Sequence, residues 1–373
     1  MSSNEQNNLA ALLSHFASSP RFYLHKINRL AERAYVVEVD REFFQRANFL
    51  DERALSQEVK GHWVPLEALR RSVFMEHPLP LGVCHFIFHV GHCGSTLISR
   101  LLELLPTVLA FREPLPVRGL ADAYPRADKP DSLFSPEQVV ADLKLVYQML
   151  ARRFSPEVIP IVKTTSICGC LGPQLLSFND HNKALLLSMG LEPYLANMLS
   201  NHGHISAARR MAPIRMRTLL RHVDAHELRL YQLSAGQLVA LGWLTEVVNL
   251  NAIHSRFGAA RAMRLDFDKF LDQPALYMAR ICEHFLLPSD DSTISNLLNS
   301  KEFSSYSKRP DRPFGSQDRL ERLQNSRKEN GAEITAGMDF ASELAGRFGL
   351  IAEAVEAFDP GKTTYGVRAA QAN

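Results

Sequence analysis

Residues 84–113 read CHFIFHVGHCGSTLISRLLELLPTVLAFRE. The stretch opens on an apolar, β-rich run, Phe86-Ile87-Phe88-His89-Val90, which stops at Gly91. A tight turn follows, Gly91-His92-Cys93-Gly94. Ser95 and Thr96 then lead into Leu97, Ile98, Leu101, Leu102 and Leu105, which recur at helical spacing. Strand, glycine turn, hydroxyls and helix together make the grammar of a phosphate-binding loop. Glycines let the backbone turn its N–H groups inward, and the helix N-terminus adds a partial positive charge facing an anion. Backbone amides of His92 to Thr96, with the Ser95 and Thr96 hydroxyls, are therefore the expected anion cradle, and Gly91, His92, Cys93, Gly94, Ser95 and Thr96 are its candidate binding residues.

The nucleotide-triphosphatase form of this loop is G-x-x-x-x-G-K-[ST]. Gly94 and Thr96 match it, but Ser95 stands at the lysine position and His89 at the first glycine. Without the lysine, the usual cation for β- and γ-phosphates is missing, which speaks against ordinary ATP or GTP hydrolysis. The segment resembles the sulfotransferase family instead, whose loop is roughly P-[KR]-S-G-[ST]-T. Gly91 to Thr96 fit that pattern with His92 at the basic position. Phe111-Arg112-Glu113-Pro114 resembles the R-E-P segment of a bacterial branch of the family. The resemblance covers residues 84 to about 310. It implies a loop that holds the 5′-phosphosulfate end of the donor 3′-phosphoadenosine 5′-phosphosulfate, and no requirement for a metal.

Other segments fill in an α/β protein. Val108 to Phe111, Val158 to Lys163, Ala184 to Leu187 and Arg261 to Phe267 read as further strands, with Pro160 hinting at an edge or a kink. Ser135 and Ser234 read as helix caps, the second opening a long helix that ends near Gly258, and Pro274 opens another. Strands alternating with helices predict a P-loop NTPase-like three-layer sandwich around a central parallel sheet, covering residues 81–310. Residues 1–80 are expected to form a small N-terminal α+β extension or lid. Its first eight residues should lack structure, Ala34 to Val39 should form a strand, Asp40 should cap a helix carrying Phe43 and Phe44, and Trp63, Val64 and Leu66 should anchor its packing. Pro114 to Pro136 reads as a long proline-rich loop. Residues 311–373 read as a helical tail that frays after Pro360.

Composition narrows the class. A formal net charge of +2 gives no bulk attraction to nucleic acid. No apolar run approaches the roughly 18 residues of a membrane span, and residues 1–19 are polar with no secretory core. Five cysteines without framework spacing point to a reduced, cytoplasmic setting. The expected partner is a small-molecule or peptide acceptor, not nucleic acid or a membrane.

The catalytic candidates are Glu113 and Lys163. A sulfuryl acceptor is usually an alcohol, so a base must stand at the strand ends to take its proton. In the resembled bacterial branch a glutamate after the second strand does this, and Glu113 matches it. Lys163, in Val162-Lys163-Thr164-Thr165-Ser166, matches the family lysine that neutralises the donor's bridging oxygen. Thr165 replaces the histidine that serves many cytosolic members as base. The sequence departs from the family at the 3′-phosphate positions, where Ser188 and Ala196 replace an arginine and a serine. Arg209, Arg210, Arg215 and Arg217 lie downstream as substitutes. Tyr306-Ser307-Lys308-Arg309 resembles the family's basic C-terminal segment, with Lys308 as a phosphate contact. Asp266 reads as a structural acidic residue. Two alternatives remain open: a P-loop small-molecule kinase using Asp266 with magnesium, and an anion-binding protein without catalysis. Cys168 with Cys170, and His222 with His226, fall short of a metal-ligand set.

Overall fold

The computed structural model describes residues 3–55, 59, 61–76, 80–306, 309–313 and 316–360. At its centre a five-stranded sheet runs in the order β5-β6-β4-β7-β8, every pair parallel: β4 His85–His89, β5 Val108–Arg112, β6 Ile159–Lys163, β7 Ala184–Ser188 and β8 Ala262–Asp266. The strands are nearly all apolar because helices cover both faces. The first crossover, through α4 (Ser95–Glu103), runs from β4 outward to β5. The crossovers through α6 (Pro136–Leu150), α7 (Gly172–Ser177) and α10 (Ala235–Arg261) all step the opposite way. Right-handed connections therefore place α4 on one face and the other three on the other. The packing agrees: α7 touches both α6 and α10, whereas α4 touches α13 (Asp291–Leu298) and α14 (Lys301–Ser304). Neighbouring strands thus send their chains to opposite faces, and that opens a crevice at the carboxyl end of β4.

Capping set several boundaries as the sequence implied. Asp40 accepts from the Phe43 N–H at 2.7 Å at the start of α2 (Arg41–Arg46), and Phe43 and Phe44 are buried. Ser135 and Ser234 each close a capping box. The long helix breaks at Gly258, which has φ 68° and ψ 173°.

Other expectations are corrected. The backbone is helical from Ser3, in α1 (Ser3–Phe16), whose Leu12 and Phe16 are buried. Trp63, in β3 (Gly61–Pro65), is 41% exposed and leans on Tyr35, while Val64 and Leu66 are buried. Residues 114–136 are not one long loop, because α5 spans Leu115–Ala123 and a 3-10 turn covers Tyr124–Arg126. Pro114 and Pro116 fall at the cap and first turn, where a missing N–H costs no bond. Pro160 lies in an interior strand. Its neighbour Ile159 donates to Thr107 O on the β5 side, so the missing N–H of Pro160 faces β4, ahead of the first pair there, His85 with Ile161.

The N-terminal residues form a separate antiparallel sheet of β1 (Phe22–Asn28), β2 (Arg33–Glu38) and β3. This region closes the outer edge of β5: Leu50 N donates to Arg112 O at 2.7 Å, and Arg41 reaches Val108 O. Residues 304–313 include an antiparallel ribbon of β9 (Ser305–Tyr306) and β10 (Arg309–Pro313); Lys308 lies outside the described residues. The tail continues as α15 (Ser316–Glu329), α16 (Gly331–Arg347) and α17 (Gly349–Phe358). It is tied to the core by Glu333, which accepts from Gly236 N at 2.6 Å, and by Asp359, which accepts from Leu191 N at 2.9 Å.

Candidate active site

The carboxyl ends of the strands open into a cavity of about 270 Å³. The loop between β4 and α4 forms its floor, with Gly91, His92, Gly94, Ser95 and Thr96 in the lining. Two residues of the loop take the left-handed conformation, His92 at φ 60° and Gly94 at φ 78°. Gly91 does not, and a Cβ there would meet only ordinary contacts at 3.7 Å and beyond. The glycine that the loop cannot replace is Gly94, where a Cβ would also sit 2.0 Å from the Phe267 ring. Cys93 turns its side chain away and is buried, its Sγ donating to Val90 O at 2.9 Å.

Several helices of the fold start on a side-chain cap, and α4 does not. Side chains of Asp40, Ser135, Ser234, Asp266 and Asp290 cap α2, α6, α10, α11 (Phe267–Asp272) and α13. The cap of α4 is Gly94, which has no side chain to offer. The first-turn N–H groups have no intrahelical acceptor, and they open on the cavity.

Glu113 and Lys163 stand beside the loop, at the ends of adjacent strands, and line the same cavity. The Lys163 ammonium is hydrogen-bonded and ion-paired to Glu113 Oε1. The Glu113 N–H donates to Lys163 O at 2.7 Å. Glu113 holds φ at 55°, a conformation costly for a residue with a side chain. The strand register and the ion pair hold it there together. Lys163 is 2% exposed, and Phe49 flanks it with its ring 5.9 Å from Nζ. His89 ties the strand ends together, its ring nitrogens 2.7 Å from Val90 O and 2.8 Å from Thr164 O. Burial first, and the charge of Lys163 second, lower its pKa to about 4, against the two carbonyls, which favour a ring that carries both protons. Thr165 lines the cavity with a buried Oγ1 that has no hydrogen-bond partner among the described residues.

Arg112, next to Glu113, has a different task. It is 2% exposed and donates to Phe44 O, Gln45 O and Ala47 O, while pairing with Glu103. It joins the N-terminal region to β5 and does not line the cavity.

The roof comes from helices that carry no loop motif. Asn197 of α8 (Leu191–Leu199) and His204 and Arg215 of α9 (His202–Leu219) reach in, as do Arg319 and Arg322 of α15. The His92 and His204 rings lie 4.2 Å apart between centroids. Arg319 pairs with Asp268 at 2.5 Å and stands over the Phe267 ring at 5.8 Å, which sets it at the β8 end. Arg327, two turns on from Arg319, pairs with Glu192 at 2.7 Å and holds α15 against α8.

Of the four downstream arginines, only Arg215 lines the cavity. Arg209 and Arg210 are exposed, and Arg217 is 3.9 Å from Asp122. Ser188 and Ala196 are buried and absent from the lining. The Asp266 carboxylate accepts from Asp268 N and Lys269 N, and so serves as the cap of α11. His222 hydrogen-bonds Asn249, and His226 lies 3.7 Å from Asp224. Among the described residues no group of three or more His, Cys, Asp or Glu side chains could hold a metal, and no helix is long and apolar enough to cross a membrane.

No family model and no curated protein matches this chain. Solved structures do resemble it. One is the sulfotransferase domain from the curacin biosynthetic pathway, at 12% identity and a TM-score of 0.38, covering 72% of this chain and 99% of that one. Another is a sulfotransferase from Alicyclobacillus acidocaldarius, at 11% identity and 0.37, covering 75% and 95%. A third, from Mycobacterium avium, has 14% identity and 0.37, covering 87% and 95%.

Proposed function

We propose that this protein transfers a sulfuryl group from 3′-phosphoadenosine 5′-phosphosulfate to the hydroxyl or amine of a small-molecule or peptide acceptor. The observation that carries this reading is the Lys163–Glu113 pair, a cation and a carboxylate side by side in the cavity that the uncapped start of α4 opens on. In sulfuryl transfer a bond forms from the acceptor oxygen to sulfur as the donor's sulfur–oxygen bond to its 5′-phosphate breaks. Glu113 takes the acceptor's proton, and Lys163 neutralises charge on the departing phosphate oxygen. Before ligand arrives the two neutralise each other. An incoming anion draws Lys163 away and leaves Glu113 the stronger base, so donor binding prepares the acceptor site.

The residues fit the donor unevenly. Loop amides of His92 to Thr96 suit the phosphosulfate end. Positions 188 and 196 do not suit the 3′-phosphate, since neither reaches the cavity. Arg319 and Arg322 are the cations that replace them in this reading. Arg319 stands over the Phe267 ring, which also packs against Gly94, so it sits beside the loop that would take the 5′ end, and Arg322 lines the same cavity. Asp266 is engaged through Oδ1 as the cap of α11, a structural task that favours sulfuryl transfer over the magnesium-dependent kinase alternative.

The test is turnover of sulfur-labelled donor against a panel of phenols, alcohols and amines. The native protein is expected to label an acceptor, and Glu113→Gln to lose that labelling while still binding adenosine 3′,5′-bisphosphate. Full activity in Glu113→Gln would overturn the assignment of the base.

A further inference from the structure

The chemistry above gives no task to Arg215. Its side chain is 7% exposed and lines the cavity. Its Nε lies 3.4 Å from Oε1 of Glu246, which is 2% exposed, and the fully buried Tyr194 adjoins them. A Cβ on Gly91 would stand 3.8 Å from the Tyr194 hydroxyl and 3.7 Å from Ser166 Oγ. Arg215 therefore belongs to the side of the cavity where β6 ends, with Lys163 and Glu113, and not to the β8 side with Phe267 and Arg319.

The group is under-satisfied. Arg215 Nε, the Tyr194 hydroxyl and both Glu246 oxygens are buried with no hydrogen-bond partner of ordinary geometry among the described residues. Such atoms cost stability unless a ligand or water completes them. Burial raises the Glu246 pKa to about 8, against the lowering influence of Arg215. Arg215 keeps its charge at any working pH, and its side chain lines the cavity. A buried, planar, permanently charged fork facing a cavity is suited to a carboxylate or phosphate.

We infer that Arg215 recognises an anionic group on the acceptor, so that the acceptor is an alcohol or amine that also bears a carboxylate or a phosphate. The acceptor's reacting group then faces Glu113 while the guanidinium grips its anionic end. This rests on the sulfuryl-transfer reading only in assigning the anion to the acceptor.

Calorimetric titration tests it. The protein saturated with adenosine 3′,5′-bisphosphate is titrated with 4-hydroxyphenylacetate, 4-hydroxyphenyl phosphate and the neutral 4-hydroxyphenylacetamide. At least one anion should bind about tenfold or more tightly than the amide. Arg215→Gln should bring the two within about twofold while leaving the bisphosphate affinity unchanged. Because Arg215→Gln leaves Glu246 alone in the interior, the double variant Arg215→Gln/Glu246→Gln is run beside it. Equal binding of all three probes, or no binding of either anion, overturns the inference. A loss of bisphosphate affinity in both variants overturns it too, by assigning Arg215 to the donor. If the bisphosphate itself fails to bind, the sulfuryl-transfer reading falls. The same anion titrations on the unliganded protein then still decide whether Arg215 selects an anion.

Discussion

The floor and the roof of this cavity are built on different principles. The floor lies on strand ends. Its loop, Glu113 and Lys163 are each fixed by sheet register: Glu113 N donates to Lys163 O, and Val90 N to Leu187 O. The roof is borne by α8, α9 and α15, whose arginines come from positions more than a hundred residues apart and are held by side-chain pairs such as Arg327 with Glu192. A sheet edge offers a rigid frame for bond-making groups, which need sub-ångström placement. Helices that pack on the frame supply charge, which acts over longer distances and tolerates looser placement. Chemistry should therefore fail sharply when the floor is changed, and affinity should fail gradually when the roof is changed.

The largest expected effect is on the floor. Glu113→Gln should lower the transfer rate by a factor of about 10² to 10⁴ while changing bisphosphate affinity by no more than about threefold. Single-turnover rates with saturating donor read the first figure, and calorimetry reads the second. A fall in affinity equal to the fall in rate would erase the distinction between floor and roof.

Gly94→Ala comes next. The new Cβ meets Phe267 and the residue must keep a positive φ, so a loss of about 2–4 kcal/mol in folding stability is expected, with loss of anion binding. Denaturant midpoints check it, and Gly91→Ala, which meets no such contact, is the control. Arg112→Ala should cost a similar amount, about 3–5 kcal/mol, because it strips the partners from several buried carbonyls and from Glu103. Its surviving folded fraction should retain donor affinity. That would separate the two halves of the Arg112-Glu113 pair into a joint with the N-terminal region and a base.

On the roof, Arg319→Ala and Arg322→Ala should each weaken bisphosphate binding by about tenfold, with the loss shrinking as salt rises. Turnover at saturating donor should change little. The smallest effect concerns Glu246. Its pKa is raised on folding, so the folded state holds a proton that the unfolded chain releases above about pH 4.5. Stability from this group is therefore full below that pH and declines as pH rises toward about 8. Glu246→Gln should flatten that decline, as read from urea midpoints across the range.

The same division explains what could be read in the sequence. The loop, the strands and the helix starts announce themselves within a few residues, because hydrophobic period and capping are local. That Glu113 and Lys163 share one cavity was legible because each ends an apolar strand, and parallel strands share a carboxyl edge. Arg319 and Arg322 are spaced i, i+3 on a strongly charged helix, and that spacing alone does not distinguish a ligand-facing pair from a solvated face. Arg215 was one of four nearby arginines, and only the packing of α9 on α10 shows which one is buried. The prolines at 114, 116 and 160 misled for the opposite reason. Each sits where its missing N–H costs nothing, at a helix start or ahead of a strand's first pairing, and that depends on neighbours the local sequence does not name.

The most direct measurement is calorimetric titration of the native protein with adenosine 3′,5′-bisphosphate and, separately, with ADP, each with and without magnesium. A floor for the 5′-phosphate, with Arg319 and Arg322 for the second phosphate, predicts that the bisphosphate binds at least about tenfold more tightly than ADP. Magnesium should not be required, and Lys163→Ala should weaken the interaction. ADP binding as tight or tighter, or only in the presence of magnesium, would contradict the account, as would failure of the bisphosphate to bind.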